Sequence, residues 1–251
     1  MKNLVFWLLF LFAGGAFGET LFVAASANVQ YALKELISDF GKKSGCEGVK
    51  TVVASSGKLT AQIERGAPYH IFMSADMKYP LYLYRKGFTV EKPRVYAIGV
   101  LVIWSMKGIP LREKGPMVLL SDDVKRIAMP NPRNAPYGRA AREYLSRTGL
   151  FDKVRKKIIY GESVSQTSQY IFKKLVDVGF TAKSVVLSPR MKGKGTWIEV
   201  DRSKYSPIKQ GVVLLKKGEK NRCAAGFYRY LFTPDAKKIL SRFGYITDEQ
   251  N

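Results

Sequence analysis

The stretch from Val49 to Gly66, VKTVVASSGKLTAQIERG, contains the transition that decides the fold. Its apolar run at 49–54 predicts a strand, and Leu59 and Ile63 lie at the spacing of a helix that ends at the final glycine. The small residues at 55–57 join the two elements directly. A strand that leads straight into a helix places unpaired helix N–H groups at the carboxyl end of the strand, where they can bind an anion.

The same junction resembles half of a nucleotide-binding phosphate loop. That motif requires a glycine five residues before its Gly-Lys pair and Ser or Thr directly after the pair. Here the pair is Gly57-Lys58, but position 52 is valine and position 59 is leucine. The nucleotide motif is therefore excluded, and an ordinary helix cap and a site for another anion both remain open.

Short apolar runs alternate with helical patterns along most of the chain. This alternation predicts parallel strands connected by helices. The apolar run Tyr96–Trp104, YAIGVLVIW, is predicted to be one strand that leaves a first domain, and residues 212–215 are predicted to be a strand that returns to it. A further strand is predicted at 179–187.

These elements predict an α/β fold of two domains joined by two hinge crossings, with a cleft between them. Lobe I is assigned residues 19–97 plus 211–251, and lobe II residues 98–210. Residues 1–18 are predicted to be a secretory signal peptide, because Lys2 precedes an apolar run too short to span a membrane and a small-residue cleavage site follows. The protein is therefore expected in the periplasm or another extracytoplasmic space, with a retained membrane anchor as the alternative.

Cysteine content and charge limit the remaining possibilities. An oxidising compartment permits Cys46 and Cys223 to pair, but a single pair without a spacing motif leaves the disulfide open. The formal net charge of +22 favours association with anions. Because the basic residues are scattered and no nucleic-acid-binding signature occurs, we interpret the charge as a solvated basic surface and expect no nucleic acid partner.

Four strand-to-helix junctions carry hydroxyl, amide or small side chains where helix N–H groups are unpaired, at 25–28, 55–57, 131–138 and 161–167. Each junction alone is explained by the ordinary preference for N-cap residues. In open α/β sheets, however, ligands bind at the carboxyl ends of strands, and helix N-termini carry about half a unit of positive charge. Together the four junctions predict one anion site shared by the two domains.

The predicted lining consists mostly of neutral donors. Lys58 and Arg133 are the charged side chains that lie near a ligand in these junctions, and Lys58 is expected to point outward. Such a lining favours a fully deprotonated oxyanion, because an unmatched O–H of a monoprotonated phosphate costs about 1–3 kcal/mol. Asp76 and Glu162 are the carboxylates able to accept that O–H, and neither is obviously aimed at the cleft.

Catalysis has little support in the sequence. The single histidine, His70, starts a strand and is interpreted as structural. The sequence contains no Cys-His pair, no histidine-rich metal cluster and no G-x-S-x-G motif. We therefore predict that the protein is not an enzyme, and we expect neither a cofactor nor a metal cation.

Several segments, taken in order, resemble those of periplasmic molybdate-binding proteins, the receptors of molybdate/tungstate ABC importers. They are VAASAN, ASSGKLTAQIERGAPYHIFMSAD, YAIGVLVIWS, NPRNAPYGRAAREYL, ESVSQT, VGFTAKSVVLSP and the C-terminal FTPDAKKILSRFGY. The resemblance spans nearly the whole chain after residue 18. It implies a two-lobed type II periplasmic-binding-protein fold that closes on a tetrahedral oxyanion without a counter-cation.

The resemblance also implies a set of oxyanion-binding positions. These are Ser26, Asn28, Ser56, Ala135, Tyr137 and Val164. Ala27 replaces a hydroxyl that some relatives carry, Ser55 is favoured less than Ser56, and Thr181 stands where some relatives use a tyrosine. The residues at 135 and 137 are alternatives, through a backbone N–H or the phenol, and Val164 is expected to donate its backbone N–H.

The implied function is capture of molybdate or tungstate by a monomer and delivery to the permease subunits of an ABC transporter. A receptor for sulfate or phosphate is the nearest alternative, because pocket size decides between these anions and the sequence does not give it. A basic envelope adhesion or nucleic-acid-binding module and a hydrolase are alternatives of other classes.

Overall fold

The computed structural model describes residues 19–247, so the predicted signal peptide lies outside the described residues. Within this range the chain forms ten strands and ten α-helices. The strands are β1 Leu21–Ser26, β2 Val49–Ala54, β3 Ile71–Ser74, β4 Arg94–Gly99, β5 Leu101–Ser105, β6 Ile127–Pro130, β7 Ile158–Gly161, β8 Val178–Ala182, β9 Thr196–Glu199 and β10 Ile208–Leu214. The helices are α1 Gln30–Ser44, α2 Ser56–Glu64, α3 Lys78–Arg85, α4 Leu111–Lys114, α5 Pro136–Arg147, α6 Phe151–Val154, α7 Val164–Phe172, α8 Lys183–Val186, α9 Arg222–Tyr230 and α10 Pro234–Arg242.

The strands form two five-stranded mixed sheets, in the orders β2-β1-β3-β10-β4 and β7-β6-β8-β5-β9. In the first sheet β1 is parallel to β2 and β3, whereas β10 is antiparallel to β3 and β4. In the second sheet β6 is parallel to β7 and β8, whereas β5 is antiparallel to β8 and β9. The predicted two-lobed α/β fold is confirmed, and the antiparallel pairs come from the two strands that follow a crossing between the lobes.

The crossings lie at different positions from those predicted. The run Tyr96–Trp104 is not one strand but parts of β4 and β5, which separate at Val100 and belong to different sheets. Both halves are apolar because each is buried in its own lobe, so the pattern does not mark the break. The boundaries predicted after 97 and before 211 fall inside strands of the first sheet, where Gly99 pairs with Ile208.

The predicted strand at 179–187 is wrong in its second half. β8 ends at Ala182, and α8 follows with Val185 and Val186 buried. A short apolar run does not distinguish a buried strand from a buried helix. The helical turn brings Ser184 to the lobe boundary, where its hydroxyl donates a hydrogen bond to the carbonyl oxygen of Asn28 over 2.7 Å.

Helices pack on both faces of the first sheet, around Leu36 and Phe227 on one side and around Leu59 and Phe72 on the other. Cys46 and Cys223 form a disulfide between the loop after α1 and the start of α9, which answers the question that the sequence left open. Among residues 19–247, no helix combines the length and the apolar character that a membrane span requires.

Candidate functional site

Four helices begin where the two lobes meet. β1 and β2 lead into α1 and α2 of the first lobe, and β6 and β7 lead into α5 and α7 of the second. The N–H of Gly57 in α2 donates to the carbonyl oxygen of Asn134, just before α5, over 3.1 Å. The side-chain amide Nε2 of Gln30 in α1 donates to the hydroxyl of Ser165 in α7 over 3.3 Å. The four helix N-termini are therefore neighbours, and the lobes are in contact.

Each of these N-termini carries a backbone donor without a partner. Within residues 19–247, the N–H groups of Asn28, Ser56, Tyr137 and Val164 have no hydrogen-bond acceptor. Three of them lie in the first turn of a helix, where the helix itself provides no acceptor. All four residues are at most 4% exposed. Because an unpaired buried donor costs about 1–3 kcal/mol, this set of donors fits a bound hydrogen-bond acceptor.

The two serines of the second junction differ in what their hydroxyls contact. Ser56 is fully buried, and its Oγ accepts a hydrogen bond from the N–H of Ala75 over 3.0 Å. The hydroxyl hydrogen of Ser56 therefore remains able to donate to a ligand. The Oγ of Ser55 is buried, caps no helix N–H and has no partner among the described residues.

At the first junction the side chain of Asn28 is fully engaged inside the protein. Its Oδ1 accepts from the hydroxyl of Ser26 over 2.7 Å. Its Nδ2 donates to Oε1 of Gln210 over 2.7 Å and to the hydroxyl of Tyr245 over 2.8 Å. The side chains of Ser26 and Asn28 are therefore bonded within the protein. Among the described residues, the backbone N–H of Asn28 is the donor that this junction leaves without an acceptor.

The third junction separates the two alternatives that the sequence left open. The N–H of Ala135 donates to the carbonyl oxygen of Asn131 over 2.9 Å, whereas the N–H of Tyr137 has no acceptor in the described part of the chain. The ring of Tyr137 is buried, and burial raises the pKa of its phenol well above the ordinary value. The phenol lies against Gly99, where a Cβ would collide with its oxygen. Tyr137 therefore offers a backbone donor at the cleft and packs its ring against the first crossing.

The fourth junction is formed by the start of α7. Ser163 caps this helix by accepting from the N–H of Gln166 over 3.3 Å, which leaves the N–H of Val164 free. Thr181 does not supply a separate hydroxyl to the site, because its Oγ1 is 2.7 Å from Oγ of Ser168. Ser168 in turn donates to the carbonyl oxygen of Val164 over 2.7 Å, so this pair supports the first turn of α7.

Both carboxylates considered as acceptors pair with cations of the opposite lobe. Asp76 of the first lobe pairs with the guanidinium of Arg139 in α5. Glu162 of the second lobe pairs with Lys58 over 3.0 Å, and both side chains are more than half exposed. Lys58 thus points outward, as predicted. The backbone carbonyl oxygen of Arg133 takes part in a contact between the lobes, where it accepts a hydrogen bond from the hydroxyl of Tyr79 over 3.3 Å. The cleft is therefore lined mainly by donors, and the two carboxylates beside it are each paired with a cation.

His70 lies away from the junctions. Its Nδ1 accepts from the backbone N–H of Phe22 over 3.3 Å, and burial lowers its pKa below the ordinary value, an effect that Glu19 partly opposes. In the part of the chain that the structure describes, no group of three or more His, Cys, Asp or Glu side chains is placed to hold a metal ion. The histidine is therefore a structural acceptor in lobe I.

Two buried residues beside the cleft were missed by the sequence reasoning. Gln210 and Tyr245 both contact Asn28, from 182 and 217 residues further along the chain. The only local signal for Gln210 was a polar residue beside the apolar run of β10, and this signal does not identify Asn28 as its partner. The tyrosine gave no signal.

A two-lobed α/β protein with a donor-lined cleft at the carboxyl ends of strands from both lobes defines a class, the solute-binding proteins. This chain belongs to the bacterial extracellular solute-binding protein family, whose model matches residues 21–246. The match includes both sheets and all four junctions.

Individual relatives narrow the comparison. The molybdate-binding proteins ModA of Rhodobacter capsulatus and Azotobacter vinelandii are each 34% identical to this chain. The first alignment covers 93% of this chain and 90% of that protein, and the second covers 89% and 88%. The solved structure of the Azotobacter vinelandii periplasmic molybdate-binding protein has a TM-score of 0.85 and 33% identity, and covers 91% of this chain and 100% of that one. The predicted resemblance to this group is confirmed.

Proposed function

We propose that this protein captures molybdate or tungstate between its two lobes and delivers the anion to the permease of an ABC transporter. The observation that carries the proposal is a set of four buried backbone N–H groups, two from each lobe, that have no acceptor among residues 19–247. The molybdate-binding proteins among the relatives support this choice of ligand.

The chemistry of the lining supports a fully deprotonated tetrahedral anion. Backbone N–H groups and the Ser56 hydroxyl donate, and the two carboxylates that the sequence offered as acceptors, Asp76 and Glu162, are paired with Arg139 and Lys58. Monohydrogen phosphate brings an O–H that needs an acceptor, whereas molybdate, tungstate and sulfate bring none. The cleft is therefore expected to discriminate against phosphate by about 1–3 kcal/mol, the cost of one unmatched polar group.

The contacts between the lobes support a mechanism of closure around the anion. In the open form the donors of α1 and α2 are separated from those of α5 and α7, and binding favours the closed form because only that form presents all of them. A ligand shifts such an equilibrium by its differential affinity for the two states. The closed form is the one that docks on the permease, and the protein acts as a monomer that carries its ligand without catalysis and without a cofactor.

The family supports a site of action outside the cytoplasm. Members are extracellular solute-binding proteins, and we propose that this protein works in the periplasm, reached by means of the signal peptide at 1–18. Neither the cleft nor the charge pairs beside it require a nucleic acid partner.

A competition titration tests the proposal. Calorimetry of the purified protein, freed of anions by dialysis, is expected to give one site for molybdate with tight binding, equally tight binding of tungstate, and displacement by phosphate only in large excess. Sulfate carries no O–H at neutral pH, so a comparison of sulfate with molybdate tests selection by the size of the anion. Binding of sulfate or phosphate in preference to molybdate would contradict the assigned ligand, and DNA or anionic vesicle binding without any response to these anions would contradict the function.

A further inference from the structure

The loop that carries Asn28 is clamped by buried side chains from three distant parts of the chain. Gln210 belongs to β10 at the second crossing, Tyr245 follows α10, and Ser184 belongs to α8 of the second lobe. All three side chains are buried. All three side chains bond to Asn28, so we place their effect on the candidate site through that residue.

Gln210 connects both anion-binding loops of the first lobe. Its Oε1 accepts from Nδ2 of Asn28 over 2.7 Å, and its Nε2 donates to the carbonyl oxygen of Ala75 over 3.3 Å. The N–H of Ala75 in turn donates to the Oγ of Ser56 over 3.0 Å. The buried side-chain amide of Gln210 therefore connects Asn28 of the first junction with Ala75, whose N–H contacts the hydroxyl of Ser56 at the second junction.

Tyr245 and Ser184 fix the other side of the Asn28 loop. The Tyr245 hydroxyl accepts from Nδ2 of Asn28 over 2.8 Å and lies 3.0 Å from the carbonyl oxygen of the same residue. The Ser184 hydroxyl donates to that carbonyl oxygen over 2.7 Å. Burial raises the pKa of Tyr245 well above its ordinary value, so its hydroxyl stays protonated at neutral pH. With its side chain and its carbonyl both held, Asn28 has a fixed backbone conformation, and its free N–H has a fixed direction.

We infer that Gln210 and Tyr245 are positioning residues, which set the affinity for the anion by aiming the N–H of Asn28 and the hydroxyl of Ser56 without touching the ligand. Preorganised donors bind more tightly because they need no reorganisation when the ligand arrives. Gln210 also lies at the second crossing, beside the irregularity between Gln210 and Gly211 in the pairing of β10 with β4. The clamp therefore ties the first-lobe donors to the second crossing between the lobes. This inference rests on the proposed function.

Two substitutions test the clamp, and a third serves as the matched control. Tyr245→Phe removes the hydroxyl and keeps the ring, and Gln210→Met keeps the length and removes the hydrogen bonds. Tyr96→Phe is the control, because Tyr96 is also a buried tyrosine of the first lobe but its hydroxyl has no partner among the described residues. Calorimetry measures molybdate affinity at a temperature where circular dichroism shows each variant folded.

We expect Tyr245→Phe and Gln210→Met each to weaken molybdate binding about tenfold, the effect of losing roughly one hydrogen bond's worth of preorganisation, and Tyr96→Phe to bind like the wild type. The amide resonance of Asn28 gives a second readout that a purely structural role would not change. Molybdate is expected to shift this resonance strongly in the wild type and the control, and less in the two clamp variants.

The outcomes separate the two claims. If the wild type and Tyr96→Phe bind molybdate and both clamp variants bind it equally well, with lower thermal midpoints only, the positioning role is overturned while the proposed function stands. If the wild type binds neither molybdate nor sulfate, the proposed function is overturned and the clamp inference with it.

Discussion

The backbone N–H of Gly57 in the first lobe donates a hydrogen bond to the carbonyl oxygen of Asn134 in the second, over 3.1 Å. A Cβ at residue 57 would lie 2.8 Å from the hydroxyl of Tyr79 and 3.0 Å from Cβ of Asn134. Glycine therefore lets the two helix N-termini approach without displacing their neighbours. The fragment that resembles a nucleotide loop is thus a contact between the lobes, at the start of a helix that we propose to bind the anion.

Substitution of Ser56 is expected to weaken anion binding without unfolding the protein. Ser56→Ala removes the hydroxyl donor and also leaves the N–H of Ala75 without its acceptor. A hydrogen bond to a charged group contributes about 1.5–3 kcal/mol, so molybdate affinity should fall about 10- to 100-fold. Calorimetry measures the affinity, and circular dichroism checks the fold.

Ser188→Ala is the matched control for this change. Ser188 is also fully buried, but its hydroxyl donates to the carbonyl oxygen of Val185 in the second lobe. It should reduce stability and leave molybdate affinity unchanged. An unchanged affinity in Ser56→Ala, or an equal loss in both variants, would remove Ser56 from the site.

The ion pair between Asp76 and Arg139 should slow the release of the anion. It joins the two lobes and is less exposed than the pair of Lys58 with Glu162. Arg139→Gln should therefore destabilise the closed form by roughly 1 kcal/mol and raise the dissociation rate about fivefold. Stopped-flow displacement of molybdate by tungstate measures this rate.

Arg147→Gln is the control for the ion pair, because Arg147 lies on the same helix and pairs with Glu143 within that helix. It should leave the dissociation rate unchanged. Equal rates in Arg139→Gln and the wild type would mean that the cross-lobe pair does not stabilise the closed form.

The sequence predicted those features of the site that depend on local pattern. The junction at Ser56 and the start of α7 at Val164 follow from strand and helix periodicity a few residues away. The engagement of the Asn28 side chain could not be predicted, because its partners Gln210 and Tyr245 come from 182 and 217 residues further along the chain. The break of the apolar run at Val100 was missed for a related reason, since both sides of the crossing are buried in separate cores.

Removal of the disulfide should lower stability and spare the site. The bond joins residues 177 apart, and loss of a native disulfide typically costs about 2–5 kcal/mol. Cys46 lies beyond the C-terminal end of α1, a 15-residue helix of roughly 22 Å, whereas Asn28 precedes its N-terminus. The Cys46→Ser/Cys223→Ser double variant should therefore show a lower denaturant midpoint and unchanged molybdate affinity. A large loss of affinity in the folded variant would show that the disulfide supports the cleft.

His70 should make stability fall in mild acid. Its folded-state pKa lies below the ordinary value of 6.5, mainly because of burial, so the unfolded chain binds more protons in the window below that value. This contribution to stability is complete above pH 6.5 and decreases as the pH falls through the folded-state pKa. His70→Gln should show a smaller drop in denaturant midpoint between pH 7.5 and pH 5 than the wild type. Equal drops in both would rule out His70 as a source of the pH dependence.

We propose that one bare oxyanion binds between the lobes through neutral donors at helix N-termini. A crystal structure of the molybdate or tungstate complex, with the metal located by anomalous scattering, tests it most directly. We expect a single anion whose oxygens accept hydrogen bonds from the N–H groups of Asn28, Ser56, Tyr137 and Val164 and from the Ser56 hydroxyl, with Asp76 and Glu162 still paired to their cations. An anion held instead by lysine or arginine side chains, or bound outside the cleft, would contradict it.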